Sequence, residues 1–185
     1  MRRSLDTLYG AAMVGACLSM AAIAVLVFIQ VMGRVVDRVL LTFGFSRWGI
    51  AVPSLAEIGG FLFVASATLA LAYTLRAAGH VRVTLVLRFL GPMGNRVLAS
   101  LVLALGAAIA GYAAWHVGDN TLDSWARGSV SYGLIPIQTW IPQAVMTLGL
   151  VIFAIALIDE MVAAVRGQDP AFRVEERRRE EEGIG

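Results

Sequence analysis

Four stretches of the chain run without a charged side chain: Thr7 to Gly33, Ile58 to Leu75, Val97 to Gly118 and Gly128 to Ile158. A hydrocarbon core about 30 Å thick needs about 20 helical residues to cross it. The runs therefore predict four transmembrane helices, at about 9–32, 56–76, 96–118 and 142–165. Pro136 and Pro142 interrupt the last run. A proline at a helix start forgoes no hydrogen bond, so Pro142 is expected to open the fourth helix, with 128–141 a loop or interfacial segment. The expected fold class is an all-α integral membrane protein with four transmembrane helices.

A shorter apolar stretch, Val81 to Leu90, contains only Arg82, Thr84 and Arg88 as polar residues and stops at Gly91-Pro92. It is too short to span. His80, Thr84 and Arg88 share one helical face, so residues 80–91 are expected to lie as a short helix at the inner interface. There His80, Arg82 and Arg88 would contact lipid or a partner. Beyond residue 166 the pattern changes: 167–185 is a charged tail with both signs mixed and no apolar face. Residues 1–166 thus form one membrane domain.

Composition agrees with the pattern. Of the 185 residues, 58% are hydrophobic and 15% charged, and the mean hydropathy is +0.76. A soluble domain carries about 25% charged residues, so a water-facing monomer is excluded. The single Cys17 rules out a disulfide scaffold and reads as a packing residue. Arg2 and Arg3 before the first run suggest a signal peptide. The run is too long, and no small-residue cleavage site follows it, so the first helix is expected to stay uncleaved.

The fifteen basic residues are all Arg. They do not form a nucleic-acid-binding face, because they fall between the apolar runs. Positive charge favours the cytoplasmic side. The N-terminus, the second connection and the tail together hold eleven Arg, against Arg34, Arg38, Arg47 and Arg127 on the other side. Both termini are expected in the cytoplasm.

Small residues let membrane helices approach closely. Gly106, Ala110, Ala114 and Gly118 recur every fourth residue, and Ala11, Gly15 and Ser19 do so on the first helix. Both stripes predict helix packing. Asp159 and Glu160 near the inner end of helix four are expected to be solvated or to pair with Arg166. Arg34 and Glu57 fall at similar depth at the outer boundary. Arg34 is expected either to pair with Glu57 or to bind the backbone of the 35–56 connection.

Enzyme signatures are absent: there is no paired carboxylate within a span, no phosphate loop and no metal-spaced His/Cys cluster. His80 and His116 could be haem ligands of a redox membrane anchor, but they fall on opposite membrane faces. A small proton-coupled exporter would want a carboxylate at mid-membrane, and Glu57 is too near a helix end. Nothing builds a substrate pathway, so the chain reads as a scaffold or accessory subunit.

Several short segments then carry a resemblance. Gln30-Val31-Met32-Gly33-Arg34, Pro53-Ser54-Leu55-Ala56-Glu57, Gly79-His80-Val81-Arg82-Val83, and Ser131 to Pro136 followed by Trp140-Ile141-Pro142 keep their order and spacing among the four helices. Together they resemble the small, four-helix permease subunit of TRAP transporters, the DctQ-like family. Thr84 departs from the Asp that commonly follows the Arg-Val pair. The resemblance implies a tripartite, sodium-dependent secondary transporter of the bacterial inner membrane. A periplasmic substrate-binding protein would deliver an organic acid or similar solute to a large permease subunit, which binds the sodium. The small subunit would brace the large one and bind neither substrate nor cofactor. Arg34, Glu57, Pro136, Trp140 and Pro142 would then be structural or partner-interface residues.

Overall fold

The computed structural model describes residues 2–77 and 92–166. The interfacial helix expected at 80–91, with His80, Arg82 and Arg88, and the tail 167–185 lie outside the described residues. Among the described residues the elements are four helices: α1 (Arg2–Thr42), α2 (Leu55–Arg76), α3 (Pro92–Ala126) and α4 (Trp140–Val165). All four are long and apolar enough to cross a membrane. The chain is a multi-pass, all-helical membrane protein.

Two helices run further than the apolar runs alone predict. α1 ends at Thr42 rather than near residue 32, and α3 at Ala126 rather than 118. Charge does not stop a helix. A residue that adopts a left-handed backbone does, and glycine adopts one at least cost. Gly44 has φ +77° and Gly128 φ +60°. Past each glycine the chain folds back in a Schellman-type cap. Phe45 N donates to Leu40 O at 2.9 Å, and Ser129 N donates to Ser124 O at 3.0 Å. Proline stands at the start of α3, as Pro92, and within the first turn of α4, as Pro142. α4 begins two residues before Pro142, which still leaves that proline where no helical hydrogen bond is lost.

The helices form an open row, in the order α1–α2–α4–α3. α2 packs on both α1 and α4, and α3 packs on α4, while α1 and α4 barely touch. Small residues set the spacing. A Cβ built on Gly149 of α4 would lie 2.8 Å from Thr68 of α2, so only glycine allows that approach. Gly106 and Gly118 of α3 face Leu157 and Thr147 of α4, and Ala110 and Ala114 between them are buried. The Thr121 and Thr147 hydroxyls meet at 3.3 Å across the same seam. On α1, Gly15 meets Leu69 of α2, but the buried alanines are Ala12 and Ala16. Ala11 is exposed, so the first-helix stripe is rotated by one residue from the expected one. Cys17 is also exposed rather than packed.

Candidate functional site

Two polar clusters, one at each end of α2, hold the row together. The one at its C-terminal end centres on Arg76, the last residue of α2. Its guanidinium pairs with Asp6 of α1 and reaches Glu160 of α4, with Nε and Oε1 3.4 Å apart. The Nε–H is buried without a hydrogen-bond partner, so the Glu160 contact is an ion pair by distance and not a directed bond. The same guanidinium lies 5.3 Å from the centroid of the Tyr9 ring, within the reach of a cation–π attraction. Tyr9 and Glu160 are each only 2% exposed. One cation therefore ties α1 to α4, two helices with almost no direct packing between them. Glu160 belongs to this cluster, which corrects the expected pairing with Arg166.

The cluster at the N-terminal end of α2 is built from two connections. The first, residues 43–54, turns back along α1. The carboxamide Oε1 of Gln30 accepts a hydrogen bond from Val52 N at 2.6 Å. The Asp37 carboxylate accepts from Trp48 N at 2.9 Å and Gly49 N at 3.2 Å. Gly33 is buried, and any Cβ there would collide with the Ile50 carbonyl. Gln30 and Gly33 thus have a physical role in the segment Gln30 to Arg34: one binds the connection and the other lets it approach.

The second connection is a small hairpin. Val130 and Gln138 form an antiparallel bridge, and Ser131 N donates to Ile137 O at 2.8 Å. Pro136 lies in its turn, and the Trp140 indole N–H closes its base on Gln138 Oε1 at 2.6 Å. The hairpin docks on the start of α2, where Ile135 N donates to Ser54 Oγ at 3.0 Å. Ser54 has φ 54°, a left-handed conformation that costs a non-glycine residue energy and needs surrounding contacts to hold it. Its carbonyl accepts from both Glu57 N and Ile58 N at 3.0 Å. Glu57 lies against Gly133, where a Cβ would strike its carboxylate. Its Oε2 is buried with no hydrogen bond among the described residues.

Arg34 does neither of the things expected of it. Among the described residues the ion pairs are Arg76 with Asp6 and Glu160, and Arg127 with Asp123. Arg34 is exposed, and Gln30 and Asp37 bind the connection in its place. Glu57 instead faces the hairpin. His116 is exposed on α3 with its ring edge-on to Tyr112 at 4.5 Å between centroids.

The residues that sequence reasoning passed over are Asp6, Tyr9, Asp37 and the structural part of Arg76. Their only signal was position: Asp6 and Arg76 each stand at the limit of an apolar run, one just before the first and one just after the second. Among the described residues no His, Cys, Asp or Glu grouping could hold a metal ion.

Neither a curated protein nor a solved structure matches the chain. The family described as "Tripartite ATP-independent periplasmic transporters, DctQ component" matches residues 23–167, more than half of its length.

Proposed function

The chain belongs to the DctQ family of TRAP transporter components, and from that premise we propose that it is the small membrane subunit that braces a large permease subunit. The observation that supports bracing is the pair of clusters at the ends of α2. Arg76 fixes α1, α2 and α4 at one end, and Ser54 with Glu57 receives the hairpin at the other. A row tied at both ends resists shear between its helices and suits a stationary partner of a moving subunit. Among the described residues charge gathers near the helix ends, Asp119 and His116 of α3 apart, and forms no continuous ionisable path along the row.

In this reading the complex takes up an organic acid or similar solute, brought by a periplasmic binding protein and driven by sodium that the large subunit binds. The small subunit carries out no catalysis and needs no cofactor. It resides in the bacterial inner membrane with both termini cytoplasmic, as the Arg distribution favours.

The test is reconstitution in liposomes with the large subunit and the binding protein. Uptake should require all three proteins and an inward sodium gradient. Full uptake by the large subunit and binding protein alone would overturn the bracing role.

A further inference from the structure

α3 closes one end of the row, and its free side carries an unusual combination of groups. Between α3 and α4 runs a groove of about 790 Å³, lined almost wholly by apolar side chains. Its floor is made of small residues, Gly111, Ala114, Gly118 and Ala144, and its walls include Leu122 and Leu148. One ionisable group lines it, Asp119, which is exposed and has no ion pair or hydrogen bond among the described residues.

The depth of Asp119 makes it informative. Gly118 packs on Thr147, so Asp119 stands level with that part of α4. Thr147 is seven residues inside Trp140 and thirteen before Glu160. At 1.5 Å per residue that places Asp119 about 10 Å from the N-terminal end of α4 and about 20 Å from the Arg76 cluster. With Glu160 and Trp140 marking the two boundaries, they lie about 30 Å apart, one hydrocarbon thickness. Counted from Trp140, the exposed Asp119 carboxylate stands about 10 Å inside that level, directly after the charge-free run that ends at Gly118. His116, one turn deeper, and Tyr112 continue the polar stripe on α3.

A carboxylate facing lipid tails is costly, and such groups face protein or water in membrane proteins. A lipid headgroup would have to sink about 10 Å to meet it. A side chain from a neighbouring helix need not. The small-residue floor also suits a helix, since glycine and alanine let a second backbone approach closely. The lined part of α3, Gly111 to Leu122, is about 17 Å long, or three helical turns.

Resting on the reading of the chain as a bracing subunit, we infer that the α3–α4 groove seats a transmembrane helix of the large permease subunit, which presents an Arg, a Lys or another hydrogen-bond donor to Asp119. The partner charge is met only in the complex. Asp119 then sets both the depth and the rotation of the docked helix, while the groove supplies contact area.

The test uses the full chain co-expressed with the large subunit. A benzophenone amino acid replaces Leu122 or Leu148 in the groove, or Leu18, which is 65% exposed on α1 at the far end of the row. Light should crosslink the groove positions, and not position 18, to the large subunit. Asp119→Asn should weaken co-purification and Asp119→Lys should abolish it. Because Asp119 is exposed, the thermal midpoint of the chain purified alone should be unchanged by either substitution. If the complex co-purifies but the groove positions crosslink only to phospholipid or to a second copy of this chain, the seat is overturned and the bracing role stands. Normal co-purification of Asp119→Lys would likewise overturn the seat and leave the bracing role standing. If the unsubstituted chain forms no complex with the large subunit, both fall.

Discussion

Arg76 and Glu160 are far apart in the chain, yet their side chains meet at 3.4 Å near the C-terminal ends of α2 and α4. Glu160 is nearly fully buried there, and Arg76 also holds Asp6. Removing the cation takes one counter-charge away from a buried carboxylate. Arg76→Met should destabilise the chain by about 3 kcal/mol, the low end for breaking a buried pair, because Arg76 and Asp6 keep partial access to solvent. Arg76→Met with Glu160→Met should recover part of that loss, since a matched apolar replacement removes the buried carboxylate together with the cation beside it. Thermal unfolding in nanodiscs checks both variants. A double variant no better than the single one would show that the ion pair is not what holds the helices.

The close approach of α2 and α4 predicts a second effect. Gly149→Ala places a methyl group 2.8 Å from Thr68. Overpacking of this kind costs about 1–3 kcal/mol. Gly111→Ala, where nothing lies within 4 Å, is the control and should be neutral. Equal thermal midpoints for the two variants would contradict the packing argument.

At the N-terminal end of α2, Glu57 should couple to Gly133 and not to Arg34. Gly133→Ala drives a methyl group into the Glu57 carboxylate, and Glu57→Ala removes that clash, leaving only the milder one with Ser54 Oγ at 2.7 Å. A double-mutant cycle on these two positions should show an interaction of about 0.5–3 kcal/mol. The cycle Arg34→Ala with Glu57→Ala should be additive to within about 0.5 kcal/mol. Stability of the purified chain is the readout, and coupling in the second cycle alone would reverse the assignment.

The proposed orientation is checked by impermeant thiol labelling of whole cells in a Cys17→Ala background. Ser46→Cys and Leu134→Cys, both on exposed connections, should label from outside. Ser4→Cys should label only after the membrane is opened. The opposite pattern would invert the topology.

The number of membrane crossings was legible in the sequence, because crossing a bilayer is a one-dimensional requirement: enough consecutive apolar residues to cover a fixed thickness. The stops of α1 and α3 were legible as well, in Gly44 and Gly128, once capping rather than charge is taken as the signal. Partnerships between helices were not. Whether Glu57 meets Arg34 or Gly133 depends on the rotation of α2 and on where the 127–139 hairpin comes down. Whether Glu160 meets Arg166 or Arg76 depends on which helix lies beside α4. Rotation, depth and neighbour order are set jointly by close contacts such as Gly149 on Thr68 and Gly106 on Leu157. In a membrane, apolar sequence gives no preference for one neighbour over another, because lipid tails solvate leucine as well as a helix does. Only the packed structure decides which polar groups are brought together, and so makes Arg76 the tie between three helices and leaves Asp119 facing outward.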